Sequence, residues 1–260
     1  MKSRNWIVTK YLLALIATCL LVAGISWAAD DQDQPSDIEK RLQASADVLN
    51  EIMGTPDKAI PDKVMRSATC IAVIPSMVKV ALVFGGNHGK GVATCRTTNG
   101  WSAPAPITIT GGSWGLQLGG QAVDLVMVVT NDAGMQQLLS SKFKLGGDAS
   151  AAAGPVGRDA AADTDWKMKA EVLTYSRARG IFAGIDLNGS AITQDKDETR
   201  LLYGGKLIPF SEILTGKVQP PGASEPFLTA VKKYSTQAVE EHGKMSTPAD
   251  PSTAARPGSN

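Results

Sequence analysis

A series of short β-prone runs between residues 70 and 130 means that the fold of this chain must contain a β-sheet. The runs are CIAVIP, KVALVFGG, GVATCRT, PITITGG, WGLQLGG and AVDLVMVVT, and glycine, proline or asparagine separates them. The last run is apolar enough to be buried on both faces of a sheet. A second β-prone section follows, in which Asn188-Gly189 between two β-like arms predicts a type I′ hairpin.

Segments with helical spacing or helix-capping signals flank and interrupt these strands. They are residues 36–53, 61–68, 131–139, 197–203, 209–215 and 224–244. In the last segment the expected buried residues are Phe227, Leu228, Val231, Tyr234 and Val239. The sequence therefore predicts an α+β fold, a single domain with a central antiparallel β-sheet or barrel edged by helices.

The N-terminus has the layout of a secretory signal peptide. Lys2, Arg4 and Lys10 precede an apolar run from Tyr11 to Ile25, and small residues place cleavage after Ala28. An uncleaved anchor is the alternative, although the run is shorter than the roughly 20 residues that span a bilayer. We expect an exported protein, periplasmic or secreted and possibly envelope-associated. The expected divisions are a signal peptide at 1–28, a linker at 29–35, a domain at 36–243 and a disordered tail at 244–260.

The net charge disfavours nucleic acid as a partner. The whole chain carries 26 basic and 25 acidic residues. Removal of residues 1–28 takes away three bases and no acid, which leaves a net charge of −2. Nucleic-acid-binding domains are usually strongly basic.

Cysteine and histidine usage limits the possible sites. After cleavage Cys70 and Cys95 remain, an even pair that an oxidising compartment can join. The alternative is two buried free thiols. With only His88 and His242 as histidines and no CxxC motif, no metal site and no cofactor are expected.

The sequence also argues against catalysis. A Ser-His-Asp triad needs a histidine base, and His88 lies in GGNHGKG, which we expect to be an exposed turn. There is no GxSxG elbow, no Walker loop and no GxGxxG before a helix. A non-enzyme is predicted, and a hydrolase acting on envelope substrates is the enzyme alternative.

A local excess of basic residues lies between residues 141 and 180. These bases are Lys142, Lys144, Arg158, Lys167, Lys169, Arg177 and Arg179, against five acids. If the fold gathers at least four of them, the patch could hold an anionic lipid headgroup, because each base near the surface contributes about 1 kcal/mol. The alternative is a solvated face of mixed charge.

Four sequence blocks carry a resemblance to a known family. IPSMVK, GGSWGLQLGGQ, FKLGGDASAAAGPVG and YSRARGIFAGIDLNGS occur in the order found in the SYLF family, also called the Ysc84-type domain. The similarity covers roughly residues 38–242. The resemblance implies a lipid-binding module without known catalysis; eukaryotic members bind phosphoinositides, and some also bind actin.

The resemblance implies a phospholipid or membrane surface as the partner of this chain, and our hypothesis is that the seven bases above engage it. The alternatives are an envelope structural or interaction protein, or a secreted actin-binding factor, without a lipid ligand. Eukaryotic relatives use a basic N-terminal amphipathic segment on membranes. The corresponding segment here, residues 36–53, carries four acids against two bases, so a purely electrostatic grip by this helix is not expected.

Overall fold

The computed structural model describes the chain from residue 36 to residue 246 with internal gaps. The described residues are 36–55, 60–81, 84–114, 119–140, 142–147, 150–155, 170–178, 181–184, 187 and 189–246. The predicted signal peptide, the predicted linker and residues 247–260 of the predicted tail lie outside them. Asp37–Asn260 form one compact unit.

Six α-helices are present in the described part of the chain. They are α1 (Asp37–Met53), α2 (Asp62–Ser67), α3 (Asp132–Leu139), α4 (Lys196–Leu202), α5 (Phe210–Leu214) and α6 (Glu225–Ser246). The strands in that part are β1 (Cys70–Ala81), β2 (Phe84–Thr97), β3 (Gly100–Trp101), β4 (Ala105–Trp114), β5 (Gly119–Val129), β6 (Lys142–Lys144), β7 (Ala151–Ala153), β8 (Val172–Ala178), β9 (Ile181–Gly184) and β10 (Ser190–Gln194).

The strands form one curled sheet, a half-barrel, in the order β6-β10-β4-β2-β1-β5-β8-β7. Strand β3 pairs with β2, and β9 pairs with β8. Every pairing is antiparallel except that of β7 with β8, which is parallel. The α+β prediction with a central sheet edged by helices is confirmed.

Both faces of the sheet are buried at its centre, as the alternation of side chains along β1 shows. In β1, Ile71 and Val73 pack into a core shared with α1, α2 and α6. Cys70, Ala72 and Ile74 point to the other face, into a core shared with α3 and α5. Strand β5 is likewise buried on both sides, which confirms the interpretation of its continuous apolar run.

A β-bulge interrupts β1 at Pro75-Ser76. The register of β1 shifts here against both neighbouring strands, and Ser76 has a φ of +51°. The bulge presses against β2, where a Cβ atom on Gly91 would lie 2.1 Å from the carbonyl oxygen of Val73. Only glycine fits this crossing, because the nearest atom belongs to the backbone and cannot move aside.

A disulfide joins Cys70 of β1 to Cys95 of β2. The two residues are register partners with Cα atoms 4.0 Å apart, and both are fully buried. The prediction of a disulfide is confirmed over the alternative of two free thiols. The bond closes a loop of 25 residues at the centre of the sheet.

Three local predictions are wrong. The arms around Asn188-Gly189 pair with different strands, β9 with β8 and β10 with β4 and β6, because tertiary pairing overrides the local hairpin signal. The GGNHGKG segment is the interior of β2 rather than a turn, since the close approach of β1 requires its glycines. Val239 is 51% exposed, and Ala238 takes the buried position on α6.

We predict that Gly91→Ala lowers the free energy of unfolding by about 3 kcal/mol, since its methyl group overlaps backbone of β1. Gly112→Ala is the matched control on β4, because a Cβ atom there meets nothing within 4 Å. Urea unfolding followed by circular dichroism measures both. Equal stability of the two variants would contradict the tight crossing.

Candidate functional site

Lys142 and Lys144 lie on the terminal strand of the sheet order. Both are exposed, whereas Phe143 between them is buried in the core. Alternate residues of a strand point to the same side, so the two lysines lie about 7 Å apart along the strand. They form a basic edge on β6, which pairs with β10.

Arg177 is held within the fold by acidic partners. Its guanidinium donates to Oδ2 of Asp124 at 3.0 and 3.2 Å and forms an ion pair with Glu51 of α1. Asp124 also accepts the backbone N–H of Ser76 at 3.0 Å. Arg177 therefore connects α1, β5 and β8 and anchors the bulge of β1.

The structure divides the described members of the predicted basic cluster. In the sheet order, five strands lie between β6, which carries Lys142 and Lys144, and β8, which carries Arg177. The remaining members, Arg158, Lys167, Lys169 and Arg179, lie outside the described residues. Their part in a site stays a prediction.

Helix α1 is also committed to the fold. Its apolar face is buried against the sheet and α6. Arg41 forms an ion pair with Oε2 of Glu198 at 2.9 Å, without the geometry of a hydrogen bond. Glu51 forms an ion pair with Arg177. The helix therefore does not present a basic face.

A second charged cluster connects β2, β4 and α4. The ammonium of Lys90 lies 2.9 Å from Oδ2 of Asp195 and 3.3 Å from Oε1 of Glu198. Thr108 donates its hydroxyl to Oδ2 of Asp195 at 3.2 Å. Asp195 also caps α4, because its Oδ1 accepts the backbone N–H of Glu198 at 3.1 Å. This Lys90 cluster fixes the point where β10 ends and α4 begins.

The cluster shifts the pKa values of two of its members. The hydrogen bond to Asp195 raises the pKa of Lys90 above its usual value, although desolvation acts against this rise. Desolvation alone would raise the pKa of Asp195, but hydrogen bonds from Lys90, the α4 backbone and Thr108 outweigh it and lower that pKa. Both groups are therefore charged at neutral pH.

Sequence reasoning missed this cluster. The spacing of Asp195 and Glu198 is that of a capping box, which signals the start of α4. Their partner Lys90 is 105 residues away from Asp195, so no local pattern connects them.

A groove of about 460 Å³ lies between α1 and α6. Its walls carry one base, Lys233, and one acid, Glu225, together with small and polar residues. Tyr234 nearby donates its hydroxyl to Asn50 at 3.0 Å. The groove lacks the net positive charge that would favour an anionic headgroup.

His88 lies on strand β2 and is exposed, so the expected exposure is right although the expected turn is not. Among the described residues no group of histidine, cysteine or carboxylate side chains could hold a metal ion. Within the same part of the chain, no helix is both long and apolar enough to cross a bilayer.

Comparison with known proteins relates this fold to one family. The family described as "Ysc84: Las17-binding protein actin regulator" matches residues 110–234. SH3 domain-containing YSC84-like protein 1 of Xenopus laevis is 33% identical over 194 residues, 72% of this chain and 58% of that protein. LAS seventeen-binding protein 3 of Saccharomyces cerevisiae is 32% identical over 208 residues, 76% of this chain and 45% of that protein. The chain belongs to the Ysc84 family.

The family match covers the basic edge fully and the Lys90 cluster only in part. The matched residues 110–234 include β6, α4 and the first ten residues of α6, whereas Lys90 and α1 precede them. The Ysc84 relatives are named as binding or regulatory proteins, which agrees with the prediction of a non-enzyme. The chain spans about three fifths of the length of the Xenopus relative and less than half of the yeast one.

We predict that Asp195→Asn lowers the free energy of unfolding at pH 7 by about 1–2 kcal/mol, a value discounted because Lys90 is partly exposed. Asparagine keeps the helix cap and removes the charge. Because the pKa of Asp195 is lowered, its contribution is present at neutral pH and is lost as the pH falls from about 5 to 2.

Urea unfolding at pH 7 and pH 3 tests this prediction. The stability of the variant should fall less between the two pH values than that of the parent. Asp197→Asn is the control on the same helix, since Asp197 is exposed and pairs within one turn, with Arg200. Identical pH dependence of the parent and Asp195→Asn would show that the cluster contributes nothing.

Proposed function

We propose that this Ysc84-family protein is an exported, non-catalytic protein that binds anionic phospholipid surfaces through its β6 edge. The observation that carries the proposal is the exposure of Lys142 and Lys144 on one side of that strand. Two like charges held about 7 Å apart at a sheet edge suit a surface of repeated phosphate groups better than a single enclosed anion.

The net charge of the protein favours binding through a local basic surface over a general electrostatic attraction to anionic membranes. Residues 29–260 carry a net charge of −2, so the protein as a whole is not attracted to anionic membranes. The α1–α6 groove offers one base and one acid, and Arg41 and Glu51 of α1 form ion pairs with other parts of the fold. The basic edge therefore fits the proposed role better than the groove or α1.

Export is proposed on the signal-peptide layout of residues 1–28. In an envelope compartment the anionic partner would be a glycerophospholipid such as phosphatidylglycerol or cardiolipin. Phosphoinositides would be available only to a protein that reaches a eukaryotic host.

A competing interpretation of the basic edge is structural. Lysines on an edge strand discourage pairing with another sheet, because they would have to be desolvated. This interpretation predicts aggregation when the lysines are replaced and leaves vesicle binding unchanged, so the same variants distinguish the two.

The family description favours a second candidate function, the regulation of actin through a protein partner. The yeast relative is named for binding LAS seventeen, and this chain covers 45% of it. Actin co-sedimentation without lipid tests this candidate. Pelleting with filaments, combined with no binding to vesicles, would replace the lipid proposal.

We predict that Lys142→Gln/Lys144→Gln lowers the partition coefficient of residues 29–260 onto phosphatidylglycerol vesicles by about 30-fold at low salt. The value follows from about 1 kcal/mol for each base. This fragment is suitable because all described helices and strands lie within it. Vesicle co-sedimentation with neutral phosphatidylcholine vesicles in parallel measures the effect.

Lys63→Gln/Lys232→Gln is the charge-matched control, since both lysines are exposed and lie on α2 and α6. It should bind nearly as well as the parent. An equal fall in both double variants would show that only net charge matters. Negligible pelleting of the parent with either lipid would overturn the proposed function.

A further inference from the structure

The segment from Lys196 to Pro209, called here the leucine corner, exposes two large apolar side chains. Leu201 is 66% exposed and Leu207 is 43% exposed. The other exposed large hydrophobic residues of the described chain are Val78 and Val239. Two such side chains six residues apart on one short segment are informative, because single exposed apolar residues are common, whereas grouped ones mark interaction sites.

Packing contacts and hydrogen bonds fix the segment that exposes the two leucines. Leu202 and Tyr203, next to Leu201, pack inward, and the Tyr203 hydroxyl donates to the carbonyl of Pro104 at 2.7 Å. The Gly205 N–H donates to the Arg200 carbonyl at 2.7 Å and closes the helix. The turn that follows needs glycine, since Gly204 and Gly205 have φ values of +63° and +84°. The fold therefore holds the leucines outward.

The exposed charged residues of the leucine corner itself are mainly positive. Lys196, Arg200 and Lys206 are exposed, and Asp197, which pairs with Arg200 at 2.9 Å, is the exposed acid of the corner. Glu198 and Asp195, which lies just before the corner, form ion pairs with Lys90. By contrast, Val239 on α6 is followed in the sequence by two glutamates.

The leucine corner adjoins the basic edge. Lys142 of β6 is the register partner of Thr193 on β10. Thr193 lies two residues before Asp195, the residue that caps α4. Gln194 donates from Nε2 to the carbonyl of Ile208 at 2.9 Å, which ties the far end of the corner to the same strand. The corner and the edge therefore belong to one end of β10.

We infer that the leucine corner enters the interfacial region of an anionic phospholipid bilayer, with Leu201 and Leu207 in contact with the acyl boundary and the neighbouring bases at the headgroups. The inference rests on the proposed function and adds an apolar contact with the bilayer to the electrostatic contact of the basic edge. Basic residues beside exposed leucines complement an anionic interface, which offers phosphate charge and hydrocarbon within a few ångströms. Binding then has a component that salt does not screen.

Vesicle partitioning of Leu201→Ser/Leu207→Ser in residues 29–260 tests the inference. Because both side chains are exposed, urea unfolding should show nearly parental stability. The partition coefficient onto phosphatidylglycerol vesicles should fall by about 10- to 100-fold, and the binding that persists in the parent at 0.5 M salt should disappear. Val78→Ser/Val239→Ser is the control for exposed apolar residues elsewhere and should bind like the parent.

A probe of depth makes the test independent of affinity. Leu207→Cys introduces the only free thiol of residues 29–260, since Cys70 and Cys95 are bonded to each other. An environment-sensitive fluorophore on this thiol should shift to the blue on phosphatidylglycerol vesicles and be quenched by lipids brominated on their acyl chains. The same fluorophore on Val239→Cys should show neither change.

The outcomes separate the two proposals. If the parent binds vesicles but the leucine variant binds equally well and the probe stays solvated, the inference is overturned and the proposed function stands. If the parent binds neither anionic nor neutral vesicles, both fall. If the leucine substitutions instead dissociate an oligomer in analytical ultracentrifugation without changing vesicle binding, the leucines contact a second copy of the chain and the inference is wrong.

Discussion

The ion pairs of the Lys90 ammonium with the carboxylates of Asp195 and Glu198 are the interactions on which the leucine corner and the basic edge depend. They join the middle of the sheet to the end of β10, where α4 begins. Asp195 contributes twice, as the ion partner of Lys90 and as the cap of α4. Because this cluster uses its acids internally, the outer side of the same corner keeps a positive charge. One set of contacts thus fixes both the geometry and the electrostatics of the corner.

The central strand sets the frame to which this cluster is attached. The disulfide joins β1 to β2, and Gly91 of β2 permits the bulge of β1 to approach closely. Arg177 stabilises the opposite side through Asp124 and Glu51. Members of the basic cluster predicted between residues 141 and 180 therefore have different roles. Arg177 supports the fold, whereas Lys142 and Lys144 face outward. Proximity in sequence does not predict which bases share a surface.

Much of the fold could be predicted from the sequence because its signals are local. Asn131 caps α3, and the apolar alternation around Cys70 sets the faces of β1. The hairpin predicted at Gly189 failed because its arms find better partners in distant strands. The candidate site was predictable only in part for the same reason. Lys142 could be named from composition, but the Lys90 cluster depends on contacts across more than a hundred residues.

Hydrogen–deuterium exchange of residues 29–260 with and without phosphatidylglycerol vesicles distinguishes the proposed membrane-binding surface from the rest of the fold. Peptides that cover residues 142–147 and 196–209 should gain protection, whereas exchange in α1 and α6 should not change. Protection confined to α1 and α6, or no vesicle-dependent protection anywhere, would contradict the proposed surface.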